Sequence, residues 1–105
     1  MSGIPERDWK YLRSIFDEML EELSRRINDE VRQVLARPDL SENEKRRRVY
    51  DVVQKRDRVV AVCFDDWRRS TVVERCWALQ KHGLLTPAHI EHLDPQTQRW
   101  IEPLR

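Results

Sequence analysis

The sequence predicts an all-α protein built on a long antiparallel helical hairpin with two short C-terminal helices. Three observations support this class. The chain has only two glycines in 105 residues, which is unusual for a loop-rich or β domain. Apolar residues recur every three or four positions among charged ones, the spacing of amphipathic helices. Finally, the stretch from Ser41 to His82 contains neither proline nor glycine.

The first helix is expected at about residues 5–36. Pro5 suits a first helical turn, and Glu6 and Asp8 place negative charge at the positive end of the helix dipole. The apolar stripe then runs through Trp9, Leu12, Phe16, Met19, Leu23, Ile27 and Val31. Pro38 forces the preceding residue out of helical geometry, so the helix ends just before it.

The second helix is expected at about residues 41–82. Ser41 followed by Glu44 forms a capping box that fixes its start, and Gly83 suits a left-handed C-terminal cap. Because the connection to the first helix is short, the two helices should be antiparallel neighbours. The polar segment before Ser70 allows a kink or restart near that residue.

The segment Val59–Phe64 is apolar at every position, and periodicity alone leaves it open between helix and buried strand. A helix is favoured, because the chain has no second β-branched run to pair with a strand. A helix that is apolar all round must be covered on more than one side.

Two short helices are expected after Gly83, at about residues 87–93 and 95–102. Thr86-Pro87 and Asp94-Pro95 each combine an N-cap residue with a first-turn proline. The whole chain, residues 1–105, is interpreted as a single helical domain, because its length supports one modest core.

The apolar segment and the greater length of the second helix predict a homodimer that closes a helical bundle. The first helix is too short to cover the second one completely. The predicted oligomer interface consists of Val59, Val60, Cys63, Phe64 and Trp67. Trp67 is included because an aromatic residue next to arginines is typical of an interface hot spot.

A basic patch on the second helix supports an alternative function, a small nucleic-acid-associated regulator. The possible phosphate contacts are Lys45, Arg46, Arg47, Arg48, Arg68 and Arg69. Nearby acidic residues and the overall charge of +1 argue against this alternative, since a nucleic-acid footprint needs uncompensated positive charge along one face. Nucleic acid is therefore a possible but not a favoured partner.

No catalytic, cofactor or metal site is predicted. The serines lie outside any nucleophile-elbow pattern, and the sequence has no glycine-rich phosphate loop. His89 and His92 are spaced to share one helix edge, but a metal site needs another convergent ligand, and whether they bind a metal stays open. Cys63 and Cys76 lie too far apart on one helix for a disulfide and are interpreted as buried thiols.

These observations favour a non-enzymatic protein–protein interaction or adaptor module that acts as a homo-oligomer. We expect no cofactor, a homodimer, a further protein partner and no membrane association. A cytoplasmic location is expected, because the N-terminal segment lacks the pattern of a secretory signal and no stretch has the length and hydrophobicity of a membrane span. The identity of the partner does not follow from the sequence.

Overall fold

The computed structural model describes residues 3–103, and all regular structure in this range is helical. This confirms the predicted all-α class and makes Val59–Phe64 helix rather than strand. The helices are α1 (Glu6–Ser14), α2 (Phe16–Leu35), α3 (Glu42–Phe64), α4 (Val72–Lys81), α5 (Pro87–Ile90) and α6 (Pro95–Trp100). None of the helices in the described range is long and apolar enough to cross a membrane.

α1 and α2 form one long, bent helix where the sequence predicted an uninterrupted one. The break falls at Ile15, which has φ −102° and ψ 2°. Next to it, the Ser14 hydroxyl donates to the carbonyl of Tyr11 at 2.5 Å. A serine that bonds to the backbone of the preceding turn competes with helical geometry, which accounts for a bend at this position.

The segment 41–82, expected as one long helix with a kink or restart near Ser70, is two helices separated by a loop over residues 65–71, and the second begins close to the expected restart. Asp65 is extended and Asp66 has φ +54°, a left-handed conformation that aspartate tolerates better than most residues. Thr71 lies at the N-cap position of α4 but does not cap the helix with its side chain, which donates to the carbonyl of Asp66. The loop turns the chain back, and the guanidinium of Arg75 in α4 donates to the carbonyl of Val62 in α3 at 2.9 Å.

The predicted caps of the other helices have clear counterparts. The Ser41 hydroxyl accepts from the amide of Glu44 at 3.1 Å, although the Glu44 carboxylate bonds to that hydroxyl and not to the amide of Ser41. Gly83 has φ +67°, and Leu84 after it donates to the carbonyl of Leu79 at 2.8 Å, as in a left-handed helix end. Thr86 and Asp94 cap α5 and α6.

The hydrophobic core lies toward one end of an elongated molecule of 53 × 28 × 24 Å. Residues of α1, of the start of α2, of the end of α3, of α4 and of the C-terminal segment form this core. Its buried apolar residues are Ile4, Leu12, Ile15, Met19, Leu23, Cys63, Phe64, Val72, Cys76, Leu79, Leu84, Leu85, Leu93 and Ile101.

α2 and α3 lie side by side from the core outward, and beyond the core they have little cover. The Phe16 ring packs edge-on against Phe64 at 5.1 Å between centroids, and Glu30 forms an ion pair with Arg56 at 2.7 Å. No residue between positions 24 and 62 is buried. Of the 23 residues of α3, only Cys63 and Phe64 are buried.

Candidate interaction surfaces

The residues predicted to form an oligomer interface are covered largely by the chain itself. Cys63 and Phe64 are buried, and Val59, Val60 and Trp67 are partly buried against the same core. The premise that the second helix protrudes uncovered at this end is wrong, because α4 folds back beside α3. Side chains that are already buried have no surface to offer a second copy. An interface at these five positions stays a prediction.

Trp67 belongs to an aromatic cluster that joins the loop after α3 to α1 and α2. Its ring lies 4.9 Å from the ring of Phe16 and 6.1 Å from that of Trp9, measured between centroids. The guanidinium of Arg13 lies 5.5 Å from the centroid of the Trp9 ring, a cation–π distance. The cluster fixes the loop against the bent first helix, a structural role that the pattern of arginines around Trp67 did not indicate.

The predicted phosphate contacts do not come together at one place. Lys45, Arg46, Arg47 and Arg48 lie in the first two turns of α3, whereas Arg68 and Arg69 follow its C-terminal end. Within α3 alone, Arg48 and Phe64 are sixteen residues apart, about 24 Å at 1.5 Å per residue. Arg68 is paired with Asp66 at 2.6 Å. Arg69 donates to the carbonyl of Ile4 at 2.7 Å and so fastens the N-terminal segment to the loop.

The four basic residues at the start of α3 differ in exposure and in their partners. Lys45 is mostly covered and lies 3.6 Å from Glu42. Arg46 donates to the side-chain carbonyl of Asn43 at 3.0 Å. Arg47 and Arg48 are exposed and form no ion pair among the described residues, although a surface cleft brings them near Glu44 and Asp51.

The three histidines have separate surroundings. His89 Nδ1 accepts from the amide of Thr86 at 3.1 Å, so its Nε2 carries the proton that faces Glu18 Oε2 at 3.2 Å. The ring of His92 stacks on Tyr11 at 4.7 Å. Residues 3–103 hold no group of three or more His, Cys, Asp or Glu side chains arranged to bind a metal ion.

His82 lines a cleft of about 190 Å³ between α2, α3 and the end of α4, together with Arg26 and Arg56. Burial lowers the pKa of His82, and the neighbouring positive charges of Lys81, Arg56 and Arg26 lower it further. Arg26 donates to the carbonyls of His82 at 2.6 Å and Gly83 at 3.3 Å. The Arg26 guanidinium therefore links the C-terminal end of α4 to α2 through hydrogen bonds, which is a structural role.

Both cysteines are buried thiols. Burial raises the pKa of Cys63 to about 11, against a smaller opposing effect of Arg75, and that of Cys76 to about 12. A thiol reacts as its thiolate, so neither group is set up as a nucleophile at neutral pH.

The most exposed apolar side chains of α2 and α3 lie outside the predicted interface. Tyr50 is 62% exposed, Leu35 50%, Val62 47% and Val53 40%, and Val62 lies on the opposite side of α3 from Val53. Val31 and Val49 are partly exposed. The apolar periodicity of the first helix included Val31, because periodicity shows which residues are apolar but not how far the rest of the chain extends over them.

Comparison with protein-family models, with curated proteins and with solved structures found no match to this chain.

Proposed function

We propose that this chain is a non-enzymatic helical interaction module that acts as a homo-oligomer, with α2 and α3 as an antiparallel hairpin that serves as the contact element. The observation that carries the proposal is the lack of cover on this hairpin. Its helix α3 buries two of 23 residues, yet it keeps valines at positions 49, 52 and 53, away from the core. Two helices alone bury too little apolar surface to account for such a helix, whereas four helices enclose a core.

The order of contacts between the two helices supports the antiparallel arrangement. Phe16 at the start of α2 meets Phe64 at the end of α3, and Glu30 further along α2 meets Arg56 earlier in α3. Val34 and Val52, nearer the connecting loop, line a common cleft.

Light scattering coupled to size exclusion tests the proposal. We expect a mass of twice 12.8 kDa at micromolar protein concentration. A mass of 12.8 kDa throughout that range would refute homo-oligomerisation.

A second candidate is the nucleic-acid-associated regulator. It is supported by the charge of α3, which carries seven basic and four acidic residues, and by the exposure of Arg47 and Arg48. Binding through these residues would weaken steeply with salt, because each phosphate contact releases counterions.

A further inference from the structure

Five of the exposed or partly exposed apolar residues described above lie on one side of the hairpin. They are Val31 and Leu35 of α2 with Val49, Tyr50 and Val53 of α3, here called the uncovered face. At about 100° per residue, Val31 and Leu35 lie about 40° apart around α2, and the three residues of α3 lie within about 100°. The ion pair of Glu30 with Arg56, and the cleft that Val34 and Val52 both line, place these two groups at the same level along the hairpin.

This surface points away from the rest of the chain. On α2, Arg26 reaches the end of α4, and it lies about 140° around the helix from Val31. On α3, Val59 shares the cleft with His82 at the end of α4, and it lies about 120° from Val53. The uncovered face is therefore on the side of the hairpin that α4 leaves open.

We infer that the occupant of the uncovered face is a second copy of this chain, an inference that rests on the proposed function and names its interface. The charges of the two helices are self-complementary. α2 carries six acidic and three basic residues, and α3 carries four acidic and seven basic ones. A partner of uniformly acidic or basic surface would be repelled by one of the two helices, whereas a second copy offers the opposite charge to both.

The whole side of the hairpin that carries the uncovered face is large enough for this partner. At 1.5 Å per residue α3 is about 35 Å long, and two adjacent helices span a width of roughly 20 Å. This side therefore has an area on the order of 700 Å² per copy, close to the roughly 800 Å² per partner of a standard stable interface, with the five apolar residues as its part near the connecting loop.

Charge also selects between the two symmetric ways of stacking two hairpins. A two-fold axis along the hairpin places α2 of one copy on α3 of the other, so that opposite net charges meet. A two-fold axis across the hairpin places α2 on α2 and α3 on α3, so that like charges meet. The first arrangement is favoured, and it brings the two connecting loops to the same end of the dimer.

A pair of matched valine substitutions tests the interface. Val53→Glu places a carboxylate in the uncovered face, and Val62→Glu places one on the same helix about 180° away, at a site that is 47% exposed. Sedimentation equilibrium should show a dissociation constant raised on the order of a hundredfold by V53E and changed less than about threefold by V62E. Equal effects of the two variants on a protein that does dimerise would overturn the interface and leave the proposed function standing. A monomeric wild-type protein would overturn both.

A distance measurement tests the stacking with the interface residues unchanged. A spin label on Asp39→Cys, in the exposed loop between α2 and α3, leaves the two buried native thiols unlabelled. We expect a separation between the two labels within roughly 25 Å, since adjacent helices lie about 10 Å apart. A separation of about 35 Å or more, the length of α3, would overturn the stacking of α2 on α3.

Discussion

Asp8 in α1 accepts a hydrogen bond from the hydroxyl of Thr97 in α6 at 2.5 Å, although 89 residues separate them in sequence. Both side chains are fully buried. The same carboxylate accepts from the amide of Asp94, with 3.2 Å to each of its oxygens. One acidic residue near the N-terminus therefore holds the C-terminal helix in place.

Removing that carboxylate should destabilise the fold. Asp8→Ala leaves a buried hydroxyl and a backbone amide without their acceptor, which should lower the free energy of unfolding by about 2–4 kcal/mol. Asp17→Ala, at an exposed position of α2, should change it by less than about 0.5 kcal/mol. Urea denaturation followed by circular dichroism, at one fixed protein concentration, measures both. Similar decreases in the free energy of unfolding of the two variants would contradict the proposed role of Asp8 in holding the C-terminal helix.

The partner residue offers a finer version of this test. Thr97→Ser keeps the hydroxyl that donates to Asp8, whereas Thr97→Val keeps the shape and removes the donor. The free energy of unfolding should fall by about 1–2 kcal/mol more in the valine variant than in the serine variant. The methyl group that serine lacks lowers the stability of the serine variant and so makes this difference a lower bound for the contribution of the hydrogen bond. A serine variant that is the less stable of the two would show that packing, and not the hydrogen bond, dominates at this site.

The ion pair between Glu30 and Arg56 predicts a pH dependence of stability. Hydrogen bonding to Arg56 lowers the pKa of Glu30 below its ordinary value, and the charge of Lys55 acts in the same direction. A carboxyl whose pKa is lower in the folded state contributes stability above its unfolded pKa of about 4.3 and loses it as the pH falls through the folded value. The contribution should be below about 1 kcal/mol, because both side chains are about one-third exposed.

Glu30→Gln should accordingly narrow the difference in stability between pH 7 and pH 3. Glu21→Gln, at an exposed position of the same helix, is the control and should behave like wild type. Thermal melts at the two pH values give the comparison. If the stability of E30Q differed between pH 7 and pH 3 as much as that of the wild type, the Glu30–Arg56 pair would not contribute to the pH dependence of stability.

The thiols should be protected in the folded protein. With pKa values raised to about 11 and 12 by burial, Cys63 and Cys76 should react with a disulfide reagent at pH 8 at least about a hundredfold more slowly than in urea. Time courses of the released thiolate measure both rates. Modification of either thiol within the mixing time, without denaturant, would contradict the buried placement.

The nucleic-acid alternative has its own test. Reversing the charges of Arg46, Arg47 and Arg48 together should abolish binding to labelled single-stranded or duplex DNA if these residues contact phosphates. Arg68→Ala should have little effect, because that guanidinium is already paired with Asp66. Fluorescence anisotropy over a range of salt concentrations measures the binding. Absent or salt-insensitive binding by the wild-type protein would eliminate this function.

The sequence predicted the helical class and most helix ends, because these follow from local signals. Ser41 and Gly83 act on backbone groups within four residues, so their roles can be read from the sequence. The bend at Ile15 was missed because the apolar residue there preserves the periodicity of the stripe. The polar segment before Ser70 indicated a kink or restart, and α4 does begin near it, at Val72. The loop at Asp66 itself was not predicted, because its left-handed backbone has no signature in the apolar pattern.

The candidate surface was predicted less well, since it depends on contacts between distant residues. Periodicity identified Val59–Phe64 as apolar all round, but it could not show that α4 folds back to cover Cys63 and Phe64. The same limit applies to Arg69, whose bond to the carbonyl of Ile4 spans 65 residues. The exposure of Val53 becomes visible only when the position of α4 is known.

Sedimentation equilibrium of the wild-type chain, from about one to one hundred micromolar, tests the central claim most directly. If the hairpin is half of a four-helix bundle, the data should fit a monomer–dimer equilibrium dominated by a species of twice 12.8 kDa at the upper concentrations. A single species of 12.8 kDa at every concentration would contradict the claim.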